Sequence, residues 1–267
     1  MLMSLITPTL NPGAVLEGAL DSVRAQDFSD YEHLVIDGAS TDGTQALLEQ
    51  RGDIRWVSEP DPGVYAAMNR ALDLAEGDWL YFLGADDRLT GTGVLSAVST
   101  HLNDDVQVVY GDVTSPRFGG RYGGEFDAER ILSQNICHQA LFVHRSVFER
   151  VGRFDERYPA QADWDHNMRW MLDSGIRHRW VDMVVADYAD GGLSSTLGDP
   201  QFERDRRFNY LTYGEKTLPS GRVATQAAKT FGYSLARGDF NRLGTCLGWM
   251  MRAILPTGSA SGNGVKT

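Results

Sequence analysis

Residues 79–87, WLYFLGADD, run from an unbroken apolar stretch straight into two adjacent carboxylates. An apolar run of this length, stopped by a glycine and charge, reads as a buried strand whose end is solvated. Working outward, the same unit recurs. Toward the amino terminus lie the strand-like SLIT (4–7), a helical pattern over 14–26, EHLVID (32–37), a second helix over 41–50, IRWVS (54–58) and a third helix over 64–75. Toward the carboxyl terminus follow a helix over 93–101 and the strand VQVVYGD (106–112). Alternating β and α units with apolar strands predict an α/β fold, a mostly parallel sheet flanked by helices. Ligands of such sheets sit beyond the carboxyl ends of the strands. The polar clusters 8–11, 37–42, 59–63 and 85–87 all fall there, so four loops are expected to converge on one cleft.

Composition narrows the class. The chain has 267 residues, 42% of them hydrophobic, enough for a sizeable core. Thirty-six acidic against 25 basic residues give a net charge of −11, which excludes a nucleic-acid binder, since phosphate backbones demand a basic surface. Cys137 and Cys246 stand far apart with no ligand spacing, so neither a zinc site nor a disulfide framework is expected, and a reducing cytoplasm fits. MLMSLITPTLN has no signal-peptide character and reads directly as a strand and its turn. The apolar stretch 243–255, interrupted by Arg252, is shorter than the roughly 20 residues a membrane span needs.

Two strand ends carry chemistry. In VIDGASTDGT (35–44) an acid at a strand end, Asp37, suits hydrogen bonding to a base or ribose, although Asp37 and Ser40 could equally cap a turn. In FLGADD (82–87) like charges sit side by side, which costs energy unless a cation joins them. A hard ion, Mg²⁺ or Mn²⁺, bound by one carboxylate and the oxygens of a diphosphate would supply that charge; a solvated turn is the alternative.

The chain resembles the family-2 glycosyltransferases of the GT-A fold. The resemblance rests on ITPTLNPGAVLEGALDSVRAQDF, VIDGASTDGT, EPDPGVYAAMNRALDLAEGDWLYFLGADD and GRFDERYPAQADWDHNMRW, which in order cover residues 2–173. NICHQA together with ADWDHN is similar to bacterial enzymes that decorate glycolipids and surface polysaccharides, including mycobacterial phenolic-glycolipid transferases. The resemblance implies that Pro8, Thr9 and Leu10 line the nucleotide, that Asp37 bonds its base, that Asp61 and Asn69 lie near the donor, that Asp86 faces the ribose and that Asp87 holds the metal. Many relatives carry a further acid two residues before Asp86, where this chain has Gly84.

Asp163, in QADWDHNMRW (161–170), matches the position of the family's catalytic base. Inverting transfer needs a carboxylate across the anomeric carbon from the leaving diphosphate. Asp165, two residues on, points about 200° away on a helix and is expected to serve packing. Asp163 could instead be a first-turn acid facing the helix dipole. His138 and Trp164 are candidates for acceptor or diphosphate contact, and Trp164 or Trp180 could stack on a sugar ring or belong to the core.

The expected organisation is a nucleotide-sugar-binding half over 1–116, an acceptor-binding half of the same domain over 117–199, beginning at the Gly- and Arg-rich FGGRYGG, helices over 200–256 and a loose tail over 257–267. From 221 to 255, Arg222, Lys229, Arg237, Arg242 and Arg252 face a single acid, Asp239, among interleaved apolar residues. That composition suits either a helix lying on an anionic membrane surface, as a lipid-borne acceptor would favour, or an amphipathic helix packed on the protein. The expected partners are a nucleotide-sugar donor and a carbohydrate or glycolipid acceptor, in the cytoplasm or peripherally on the inner face of its membrane. A sugar nucleotidyltransferase would need a Gly- and basic-rich phosphate loop, and TPTLNPGAV is none; a non-catalytic nucleotide-sugar binder remains the other alternative.

Overall fold

The computed structural model describes residues 1–190 and 197–254. The amino-terminal run is β1 (Met3–Thr9), α1 (Val15–Arg24), β2 (Tyr31–Asp37), α2 (Thr44–Glu49), β3 (Arg55–Ser58), α3 (Val64–Leu74) and β4 (Trp79–Phe82). These strands pair in parallel in the order β3-β2-β1-β4. All seven residues of β1 are buried, as a central strand covered on both faces requires. Leu16, Ala19, Leu20 and Val23 form the buried stripe of α1, at the spacing a helix must show to lie on the sheet.

The second half is mixed. It comprises β5 (Arg88–Leu89), α4 (Val94–Ser99), β6 (Val108–Ser115), β7 (Gly120–Tyr122), β8 (Leu141–His144), α5 (Arg145–Val151), α6 (Ala162–Met171) and β9 (His178–Asp187). β8 joins β4 antiparallel, β6 runs antiparallel to β8 and parallel to β9, and β5 closes the far edge antiparallel to β9. The parallel character read from the alternating pattern thus belongs to β1–β4. Beyond β4 the connections are longer and irregular, and the helix-after-strand rhythm that enforces parallel pairing stops. The segment FGGRYGG contributes β7, a short ribbon antiparallel to β6.

The chain divides into two compact units, Met1–Glu203 and Arg204–Thr267. α7 (Pro200–Gly214) begins just before that boundary and, in the second unit, leads into α8 (Ser220–Ala236) and α9 (Phe240–Ile254). α9 packs along α8 and buries Cys246 and Trp249. Its basic groups are largely engaged inside this unit. Arg242 pairs with Asp205 and with Asp239 at 3.1 Å, Arg252 reaches Glu215 at 2.8 Å, and Arg237 lies over the Tyr233 ring. Phe240, Leu247 and Met251, at helical spacing on one stripe, are exposed. Among the described residues no helix is long and apolar enough to cross a membrane. Leu255, Pro256 and the expected loose tail 257–267 lie outside the described residues.

Candidate active site

A cavity of about 540 Å³ opens at the carboxyl ends of β1 and β4. Pro8, Thr9, Leu10 and Asn11 form one wall, Asp61 and Tyr65 another, and Gly84–Asp87, His138, Gln139 and Tyr188 close it. Of the residues expected at the donor, Pro8, Thr9, Leu10, Asp61, Asp86, Asp87 and His138 are brought together here.

The first wall is stitched before any ligand arrives. Asn11, with φ of 48°, accepts from the Thr41 amide at 2.8 Å, and its own amide donates to Ser40 Oγ at 2.7 Å. The Gly13 amide donates to Asp42 Oδ2 at 2.7 Å. Asn tolerates the left-handed region, so the turn after β1 costs little at that position. Asp37 is fully buried and does not line the cavity: it accepts from the Ser40 amide and hydroxyl and from Ser58 Oγ at 2.6 Å. Its visible role is to knit the loop after β2. Burial, and then the charge of Asp37, hold the Asp61 carboxyl above its usual range.

Asp87 is 1% exposed, with Gln139 Nε2 donating to Oδ2 at 2.6 Å and the Ala189 amide donating to Oδ1 at 2.8 Å. Burial, reinforced by the neighbouring Asp86 charge, raises its pKa to about 6 despite those bonds and nearby His138. Gly84 has a steric reason: a Cβ there would strike the Asp87 carboxylate and crowd Asp86 Oδ1. The acid that many relatives carry at this position therefore has no room as the loop stands. Among the described residues no cluster of three His, Cys, Asp or Glu side chains is arranged to hold a metal ion. Each Asp87 oxygen accepts one protein hydrogen bond and keeps lone-pair capacity. A hard ion completed by phosphate oxygens fits that carboxylate chemistry.

Asp163 opens α6, and its carboxylate is held from three directions. Tyr65 Oη donates to Oδ1 at 2.8 Å, Asn135 Nδ2 donates to Oδ2 at 2.8 Å, and His138 Nδ1 stands 3.5 Å from Oδ2. Tyr65 and His138 line the cavity, so the carboxylate sits directly behind its wall. Asp165 is 1% exposed and pairs with Arg169 at 3.0 Å, the packing role its place on the helix implies.

Besides Asp37, Asn69 meets a different arrangement from the one expected, and the two tryptophans take the packing alternative. Asn69 lies off the cavity: Nδ2 donates to Phe154 O and Glu156, and Oδ1 accepts from the Phe154 amide at 3.0 Å, so it ties α3 to the segment before α6. Trp164 Nε1 donates to Ile131 O at 2.7 Å and its ring meets Phe202 at 5.3 Å, which makes it core. Trp180 donates to Asp112 Oδ1 at 2.9 Å rather than facing a sugar. Conversely, Tyr65, Asn135 and Gln139 were not singled out in the sequence. The motif NICHQA, residues 135–140, held two of them, Asn135 and Gln139, on either side of His138. Thr9 Oγ1 and Gln139 Oε1 are buried without a partner in residues lining the cavity; such orphans at a cavity are expected where a ligand completes the bonding.

Residues 4–151 match the family described as glycosyl transferase family 2. A PGL/p-HBAD biosynthesis glycosyltransferase of Mycobacterium bovis (strain BCG / Pasteur 1173P2) is 42% identical over 212 residues, 75% of this chain and 82% of its own length. A GalNAc(5)-diNAcBac-PP-undecaprenol beta-1,3-glucosyltransferase of Campylobacter jejuni is 33% identical over 175 residues, 58% of this chain and 55% of its own. Among solved structures, S. aureus TarS 1–349 in complex with UDP-GlcNAc superposes with a TM-score of 0.69 at 17% identity, covering 96% of this chain and 82% of that one. Mannosyltransferase PcManGT from Pyrobaculum calidifontis, in complex with GDP-Man and Mn²⁺, gives 0.58 at 20%, covering 94% and 83%. These two likenesses establish the GT-A fold.

Proposed function

The chain belongs to glycosyl transferase family 2 and is a glycosyltransferase, and from that premise we propose that it moves a sugar from a nucleotide-diphosphate donor to a hydroxyl of a glycolipid or polysaccharide-precursor acceptor, with inversion. The observation that carries this reading is the Asp163 carboxylate, held by Tyr65 and Asn135 behind one wall of the cavity whose other wall ends in Asp86 and Asp87.

In the proposed reaction Pro8, Thr9, Leu10 and Asp61 hold the nucleoside, and Asp86 faces the ribose. Asp87 would hold the divalent ion, Mg²⁺ or Mn²⁺, together with the donor diphosphate; when bound, the ion supplies positive charge against the departing diphosphate. Asp163 takes the acceptor hydroxyl's proton as that oxygen attacks the anomeric carbon and the bond to the diphosphate breaks on the opposite face. His138, between the two carboxylates, contacts the acceptor or the diphosphate. The buried Asp37 contributes by fixing the loop rather than by bonding the base, because its oxygens already accept from Ser40 and Ser58.

The relative named for an undecaprenol-linked substrate supports a lipid-borne acceptor, and peripheral attachment through α9 follows from that reading. The exposed Phe240, Leu247 and Met251 support it better than charge does, since Arg242 and Arg252 are committed to Asp205, Asp239 and Glu215. Thermal unfolding against a panel of nucleotide-sugars, with and without Mn²⁺, tests the donor site: one donor should raise the midpoint with Mn²⁺ and do little without it. No stabilisation by any nucleotide-sugar would sink the reading.

A further inference from the structure

Behind Asp163 runs a chain of amides whose orientation is set from the core. Trp170 is fully buried, and its indole nitrogen donates to Asn167 Oδ1 at 2.9 Å. Asn167 Nδ2 then donates to Asn135 Oδ1 at 2.9 Å and to Ile136 O at 3.0 Å. Asn135 Nδ2 donates to Asp163 Oδ2 at 2.8 Å.

The two ends of a side-chain amide look alike, so the direction of such a chain is normally ambiguous. Here it is not. An indole N–H can only donate, so the Asn167 atom facing it must be the oxygen. Rotating Asn167 by half a turn would set its NH₂ against the indole N–H and its oxygen against both Asn135 Oδ1 and Ile136 O. With Asn167 fixed, the Asn135 atom it meets must be an oxygen, and the atom facing Asp163 must be the NH₂. The opposite orientation of Asn135 would present a carbonyl oxygen to Asp163, which only a protonated carboxyl can satisfy.

We propose that Asn135 is a positioning residue for glycosyl transfer, delivering through Asn167 a donor orientation fixed at Trp170 and thereby fixing the place of the Asp163 carboxylate behind the Tyr65 and His138 wall of the cavity. The proposal rests on Asp163 as the base. The other groups facing this carboxylate are Tyr65 from α3, which donates to Oδ1, and His138 and Cys137 from the turn before β8. Asp199 acts on Tyr65, and Asp165 on α6 itself is occupied by Arg169. Among these, Tyr65 can rotate its hydroxyl to donate or accept, whereas Asn135 cannot reverse.

The test separates placement of the carboxylate from binding. In full-length protein Asn135→Ala should lower kcat for sugar transfer about tenfold, the effect of losing one hydrogen bond to a charged group, while the donor KM and the binding of UDP and GDP with Mn²⁺ stay within about twofold. Trp170→Phe, which removes only the indole donor and part of the ring, should give a smaller fall in kcat with the same unchanged KM, and serves if Asn135→Ala does not fold. An unchanged kcat in both variants, or a loss of nucleotide binding in step with kcat, overturns the proposal. If kcat falls as expected but Asp163→Asn still transfers sugar, the amide chain stands and the base assignment falls.

Discussion

Replacing Asp87 with asparagine should make the metal-free protein more stable while abolishing its metal-dependent nucleotide binding. The carboxyl is 1% exposed and its pKa rises from 3.8 to about 6, chiefly through burial. At about 1.4 kcal/mol per unit, keeping it ionised costs the fold about 3 kcal/mol. The sign follows from proton linkage. Because the folded value is the higher one, the native state binds the extra proton, and stability falls as pH rises from about 4 to about 6, then levels off. Asparagine carries no charge and fits the same two bonds: its oxygen accepts from the Ala189 amide, and its NH₂ donates to Gln139 Oε1 once that amide turns over, which places the Gln139 NH₂ where its oxygen now lies unpartnered. With EDTA present, Asp87→Asn should therefore exceed the parent by up to about 3 kcal/mol at pH 7.5 but only about 1 kcal/mol at pH 4.5. For a protein of this size that is a midpoint rise of several degrees, roughly 10 °C at most, at the higher pH. Differential scanning fluorimetry at both pH values reads it. An asparagine variant no more stable than the parent at pH 7.5, or equally favoured at both, would refute the account of Asp87 as a carboxylate strained by its own burial.

Asp163→Asn should leave donor affinity within a few-fold and lower transfer by about a hundredfold or more, whereas Asp165→Asn should keep most turnover and lose stability by breaking its buried pair with Arg169; steady-state kinetics beside thermal melts separates the two, and the reverse pattern would move the base to Asp165. Gly84→Ala should abolish Mn²⁺-dependent stabilisation by nucleotide, because the added methyl displaces the Asp87 and Asp86 carboxylates; a variant that still responds to Mn²⁺ counts against metal binding at that carboxylate. In co-sedimentation with lipid vesicles, Phe240→Ser with Leu247→Ser should release the protein, while raising salt should have little effect, since Arg242 and Arg252 are already paired; strong salt dependence would restore the basic surface as the attachment.

The first half of the fold was legible because each of its strands is a separate apolar run followed by a helix of the right period. The mixed half was not: β5 is two residues long and β7 three, too short to show any alternation. Carboxylates at strand ends were visible for the same reason as the strands, since charge directly after an apolar run stands out. What they bond to was not. Asp163 meets Tyr65 across 98 residues and Asn135 across 28, distances over which no sequence period operates. Asn69 misled because an amide on a helix beside the cleft can turn either way, and here the Phe154 backbone offers it both a donor and an acceptor. Trp164 turned inward on a helix that is buried on nearly every side, so hydrophobic period could not say which face met the cavity, whereas the helical offset from Asp163 did assign Asp165 to packing.

The antiparallel seam between β4 and β8 also orders events in time. On a ribosome the four parallel strands emerge first, with the loop 84–87 already at their edge. Yet Asp87 acquires its partners from Gln139 and Ala189, 52 and 102 residues downstream. Until those have left the exit tunnel and docked, the nascent chain has one wall of the cavity and a carboxylate with nothing to hold it in place. The surroundings of Asp87 are thus completed late in synthesis and in two steps: the turn before the strand that runs backward beside β4 brings the amide at 139 together with the partners of Asp163 at 135 and 138, and the segment after β9 then brings the Ala189 amide.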